Sequence, residues 1–244
     1  MEYVFHFGDI WDARDELLAG TWLTLWFSAV SMVLSLVLAV LGALLRTSGP
    51  LPARFGVAAY VELVRNTPFL VQVFIIFFGL PVLGIRLETD TTAVIALTLN
   101  GSAYAIEIVR AGIESVGSGQ VEAARALGLR PLSAFRLVVL PQALRNVLPP
   151  LGSQFILLML NSSVVSVISA EELTSAAQDI QGRTFRAFEA YIAATVIYFV
   201  LSLLFSAAFS LLGRAAFRQP ARRQGTVHQG TGPQGTGPQG TAQR

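Results

Sequence analysis

Glu122-Ala-Ala-Arg-Ala-Leu-Gly128, followed after nine residues by Val138-Val139-Leu140-Pro141, is the stretch that decides how this chain is read. Its first half is small and helix-forming. Gly128 can take a positive φ and end a helix. Arg130-Pro131 then forces a turn, because the residue before proline avoids α geometry. Leu132, Phe135, Val138 and Val139 resume an apolar stripe at helical spacing, which Pro141 is expected to interrupt. The expectation is helix, sharp turn, helix across about 117–146. Ala123 and Ala124 leave a shallow surface that a partner can approach closely. Arg125, Arg130 and Arg136 can pair with acidic groups on it.

Long apolar runs flank this loop. Residues 21–45 form the clearest one, and at about 1.5 Å per residue they cross a hydrocarbon core of about 30 Å. Residues 57–80, 91–109, 147–168 and 190–212 are four more candidates, the run at 57–80 interrupted by Glu62, Arg65, Asn66 and Pro68 and the run at 147–168 carrying Pro149-Pro150 near its start. Backbone polar groups in lipid must be paired internally, so all five are expected to be helices. Composition agrees: 53% of residues are hydrophobic and 13% charged, against about 25% charged in soluble domains, and mean hydropathy is +0.61. The 244 residues could make one or two soluble domains, but the apolar runs argue for one helical membrane bundle.

With no cysteine, disulfides, thiolate metal sites and a cysteine nucleophile are excluded. All 17 basic residues are arginine, which reads as GC-rich coding rather than chemistry; without lysine a standard Walker P-loop cannot form. No nucleophile–base set is visible, so no enzyme activity is expected of the chain alone. His6 and His228 are isolated, and no metal site is expected. The sequence pI of 9.4 would fit nucleic acid, but the arginines are placed for membrane orientation instead. Five spans put Arg46, Arg54, Arg125, Arg130, Arg136, Arg145, Arg214, Arg218, Arg222 and Arg223 on one side, and Arg14, Arg86, Arg183 and Arg186 on the other. The positive-inside rule makes the first side cytoplasmic, with the N-terminus outside. Trp11, Trp22 and Trp26 lie near the outer end of the first span, as an aromatic belt does. The start does not read as a signal peptide. From residue 219 the Gln-Gly-Thr-Gly-Pro repeats read as a disordered cytoplasmic tail at 219–244, after a transmembrane domain at 1–218.

The loop resembles the Glu-Ala-Ala…Gly…Ile-x-Leu-Pro signature of ABC-importer permeases, with Val138 standing where Ile is usual. The resemblance extends to polar-amino-acid permeases through Glu62-Leu-Val-Arg-Asn-Thr-Pro68-Phe-Leu-Val-Gln72, Ala103-Tyr-Ala-Ile-Glu107-Ile-Val-Arg110 and Asn161-Ser-Ser163. It covers about 17–217 and fails in the tail. It implies an all-α integral membrane fold, the type I (MetI-like) bundle of five helices with a cytoplasmic coupling helix. It further implies a multi-pass subunit of the bacterial cytoplasmic membrane. Glu122, Ala123, Ala124, Arg125, Gly128, Leu140 and Pro141 would dock the energy-supplying subunit. The partners implied are two copies of an ATPase that carries the ATP and Mg, a second permease, identical or paralogous, and an extracytoplasmic solute-binding protein. The substrate implied is a polar amino acid, glutamate or glutamine first, moved by alternating access.

Polar residues within the spans carry two readings. Glu62, Arg65, Glu107 and Arg110 are costly in lipid. They either touch substrate or gate, or pair within the bundle, as the i,i+3 spacings Glu62–Arg65 and Glu107–Arg110 allow. Gln72, Asn100, Asn161, Ser162 and Ser163 can bind a zwitterion without net charge, or bond helix to helix. Pro68 is expected to kink the second span beside Gln72, as a gate would need. The rivals from other classes are an ion-gradient-driven secondary transporter, for which no internal repeat is visible, and a membrane sensor, which the polar residues within the spans oppose.

Overall fold

The computed structural model describes residues 4–216, and among these all regular structure is helical. A single turn, α1 (Gly8–Asp12), leads into α2 (Arg14–Ser48), whose 35 residues exceed what a bilayer core requires. Alongside α2 lies α5 (Thr89–Glu114). The Ser31 hydroxyl donates to the Val94 carbonyl at 3.3 Å, Ser35 to that of Thr98 at 3.0 Å, and Arg46 reaches Glu107 at 2.6 Å. Both numbers rise together along the contact, so the two helices run in the same direction.

Parallel neighbours oblige the chain between them to cross back. That return is made by α3 (Leu51–Arg65) and α4 (Phe69–Val82), whose axes bend by 110°. The single kinked span expected over 57–80 is therefore two helices, broken at residues 66–68. Pro68 removes a backbone donor and the residue before it leaves α geometry, so the helix stops rather than bends. Four helices are individually long and apolar enough to cross, and the broken pair makes the fifth passage.

The coupling segment follows as α6 (Ser118–Ala126), α7 (Pro131–Ala134) and a π-helical stretch at Phe135–Val139. It continues without interruption into α8 (Leu140–Asn161) and a 3₁₀ stretch, Ser162–Ile168. The fourth span thus grows from a helix that starts at Pro131, not at 147, and Pro141 does not break it. A π turn shifts the register just before Pro141, so the ring enters at the start of α8 without meeting the preceding turn. Antiparallel to α5, α8 packs glycine against side chain: a Cβ on Gly112 would sit 2.0 Å from Val147 Cγ2, and one on Gly101 2.5 Å from Leu158 Cδ1. α9 (Leu173–Thr184) lies across the far end, and α10 (Ala187–Ala216) returns beside α8, with Phe209 against Gly152.

Lipid offers no hydrophobic drive between helices, so small residues and hydroxyls make the seams. On α2 the buried face is Ser28, Ser31, Ser35, Ala39 and Gly42, while Val33, Val37 and Leu41 point outward. Among the described residues only the Thr98 hydroxyl is buried without a partner. One end of the bundle gathers the α2 C-terminus, the coupling segment and the α10 C-terminus; the other gathers α1, α9 and the α10 N-terminus. That division matches the arginine asymmetry. The proposed tail at 219–244 lies outside the described residues.

Candidate functional site

The coupling helix ends as its punctuation dictates. Gly128 has φ +81°. Its N–H donates to the Arg125 carbonyl at 2.9 Å, and that of Leu129 to the Ala124 carbonyl at 3.1 Å, the Schellman pattern. Arg130 is extended before Pro131, which opens α7. Ala124 is buried, turned onto the bundle, so only Ala123 of the alanine pair lies on the outer surface. Glu122, Arg125, Arg130 and Arg136 are exposed, and none has an ion-pair partner among the described residues. Leu140 and Pro141 sit in the long helix leading to the fourth span.

The exposure of two leucines at this turn was not legible in the sequence. Leu127 is 83% exposed and Leu132, expected on the buried stripe, is 77% exposed. They stand on either side of Gly128 as apolar knobs; of the expected stripe Val139 is buried, and Ala134 joins it on that face. The braces behind the turn were also missed. Gln142 Nε2 donates to Gln120 and to the Val138 carbonyl at 2.8 Å, and Asn146 Nδ2 donates to Ser115 Oγ at 2.8 Å. Nothing in a string of isolated amides announces such pairings across 22 and 31 residues.

The polar residues of the spans separate into three groups. Glu107 lies between Arg46 at 2.6 Å and Arg110 at 2.7 Å, and Arg110 continues to Glu114 at 2.5 Å. This network ties α2 to α5 at the coupling end, away from the other pathway candidates. The expected Glu62–Arg65 pair does not form: Glu62 accepts from Asn66 Nδ2 at 3.0 Å, and Arg65 lies 5.4 Å over the Tyr104 ring. Both side chains are exposed, so the pull between them is screened and the local alternatives win.

Gln72 and Asn100 bond to each other at 3.0 Å, beside Pro68. Ser162 and Ser163 turn their hydroxyls back to the carbonyls of Met159 and Leu160 at 2.6 and 2.7 Å. α4, α5 and the 3₁₀ stretch share one apolar cluster around Val73, Leu97 and Val165, which places these groups in the same part of the bundle. Of the five neutral candidates, Asn161 alone is half-buried with a side-chain amide that has no partner among the described residues. A cavity of about 500 Å³ opens elsewhere, between α8 and α10 near Arg145 and Arg214, and includes none of these residues.

Comparison with known proteins places this geometry. The family described as "binding-protein-dependent transport system inner membrane component" matches residues 35–218. The glutamine transport system permease protein GlnP of Escherichia coli is 38% identical over 204 residues, covering 83% of this chain and 93% of that protein. The L-cystine transport system permease protein TcyB of Bacillus subtilis is 38% identical over 207 residues, covering 84% and 88%. A crystal structure of an amino acid ABC transporter with histidines superposes with TM-score 0.82 at 38% identity, over 87% of this chain and 100% of that one. An inward-facing methionine ABC transporter, MetNI, at 24% identity and TM-score 0.68 over 83% of this chain and 96% of that one, shares the fold.

Proposed function

The chain belongs to the family of binding-protein-dependent transport system inner membrane components, and from that premise we propose that it is the permease subunit of an ATP-driven amino-acid importer, with glutamine its leading substrate. The observation that carries the reading is the coupling turn. Leu127 and Leu132 are exposed beside four charges that have no ion-pair partner among the described residues. Exposed apolar anchors ringed by uncommitted charge are what a docking partner covers. The partner proposed is an ATPase dimer that carries ATP and Mg. A second permease, identical or paralogous, completes the pathway, and an extracytoplasmic binding protein delivers the substrate. ATP closes the ATPase dimer, the coupling helices follow, and the bundle passes from inward-open to outward-open. ATP drives the switch by binding the two states with different affinity.

The polar inventory favours an uncharged amino-acid side chain. Glu107 is balanced by Arg46 and Arg110, so the pathway candidates that remain are amides and hydroxyls. Asn161 is the proposed contact, since its amide is uncommitted. Such groups meet a zwitterion and a neutral amide without burying an unpaired charge. The names of the glutamine permease relatives support the same choice over glutamate.

The test is uptake into proteoliposomes holding the full complex and its binding protein. Glutamine uptake should require ATP and persist after ion gradients are collapsed. Uptake that runs on an ion gradient without ATP would return the chain to the secondary-transporter class. A sugar, metal chelate or phosphate bound by the cognate binding protein would sink the amino-acid assignment.

A further inference from the structure

We propose that Gln72 is the positioning residue of the broken helix: its side chain supplies the N–H that Pro68 lacks and sets the angle between α3 and α4. In an unbroken helix the Val64 carbonyl accepts from the N–H of residue 68. Proline has none. Gln72 Nε2 donates to the Val64 carbonyl at 2.7 Å, and reaches the Thr67 carbonyl at 3.0 Å and the Thr67 hydroxyl at 2.9 Å. The preceding carbonyls are covered locally. That of Glu62 accepts from the Asn66 backbone at 3.1 Å and from its side chain at 2.8 Å, and that of Leu63 from the Thr67 hydroxyl at 2.9 Å. For Val64 the Thr67 hydroxyl is only a distant donor, at 3.4 Å. Gln72 closes the gap from the other side of the break.

The other end of the amide is committed as well. Gln72 Oε1 accepts from Asn100 Nδ2 at 3.0 Å, and Asn100 is buried on α5. One side chain therefore pins the break and ties it to the neighbouring span. A backbone carbonyl in a membrane has no water to turn to, so the pin cannot be dropped without exposing an orphan acceptor. It follows that α4, packed on Ala93, Val94 and Leu97, moves with α5 as one body. Gln72 then acts on the pathway through the helix angle, its own amide being committed at both ends.

The importer reading enters only through the uptake measurement; the angle is measured separately. Natural cysteine is absent, so Leu63→Cys with Phe78→Cys gives one spin-label pair, both sites exposed, one on each helix. In the assembled complex this pair should give one narrow distance by pulsed electron resonance. Adding Gln72→Met, similar in size but without a donor, should broaden or shift it. Uptake should slow about tenfold, as loss of a buried hydrogen bond implies, with KM and preference among competing amino acids unchanged. Should that variant fail to reach the membrane, Gln72→Asn keeps the amide but shortens its reach, and should broaden the same distance. A broad distance in the parent pair overturns the proposal, as does an unchanged distance in whichever variant inserts. An unchanged distance with altered KM or preference makes Gln72 a substrate contact instead.

Discussion

Glu172 joins α2, α9 and α10 at the end of the bundle opposite the coupling segment. It is 1% exposed, yet it caps α9, accepting from the Ser175 N–H at 2.9 Å, and takes the Tyr198 hydroxyl at 2.5 Å and that of Thr24 at 3.4 Å. Burial pushes its carboxyl above the ordinary value of 4.5, and the hydrogen bonds from Thr174, Tyr198 and Ser175 offset part of that push. A raised folded-state pKa means the folded protein holds the proton more tightly than the unfolded chain. That contribution to stability is complete below 4.5 and is lost as pH rises through the raised value. The thermal midpoint in detergent should therefore fall over a pH series rising from 4.5, and Glu172→Gln should flatten that slope. A variant with the parental slope would remove Glu172 as its source. Glu171 and Glu172 are indistinguishable as letters, one exposed and one buried. Burial of a single carboxylate is set by which turn of α2 passes beside it, and Thr24 lies 148 residues away. Gln72 and Asn100 were visible as candidates because amides are conspicuous in apolar runs; their mutual bond was not.

At the scale of the element, the coupling helix was legible because its ends are written in glycine and proline. Gly128 holds φ +81°, and a Cβ there would meet nothing within 4 Å. The cost of substituting it is backbone strain alone, about 1–3 kcal/mol for a residue held in a sparsely populated region. Gly128→Val should reduce co-purification of the ATPase and substrate-stimulated ATP hydrolysis while leaving the membrane level unchanged. Gly128→Asn, whose side chain tolerates the left-handed region, should retain most of both. Normal coupling in the valine variant would remove the turn as the joint. The same punctuation misled further along the chain. Pro141 reads as a breaker, but the π stretch at Phe135–Val139 carries the helix past it. Pro68 reads as a kink, but with Asn66, Thr67 and Gln72 ready to take the freed carbonyls, a full break becomes affordable. Whether a proline bends or ends a helix depends on donors elsewhere, and spacing alone does not reveal them.

Across the whole molecule, five passages were readable because lipid forces each into a long apolar run. The arginine asymmetry gave each passage a direction as well. Which passages are neighbours was not legible, since an apolar run does not name its partner. The pairings of Ser31 with Val94, Gly112 with Val147 and Gly152 with Phe209 supply that. They put the ends of α2 and α10 beside the coupling segment. With the arginines on that side, a reporter active only outside the cell, fused after Arg218, should be silent. Activity there would mean an even number of passages and a wrong account of the broken pair. The parallel seam of α2 and α5 also governs how the protein is made. Ser31 and its acceptor are 63 residues apart, and at about 5–20 residues per second the ribosome takes several seconds to deliver the second after the first. During that interval α2 stands in the bilayer with its serine face unmatched. Every stall within α3 or α4 lengthens the wait, so the sequence most able to spoil assembly supplies neither partner of these serine bonds.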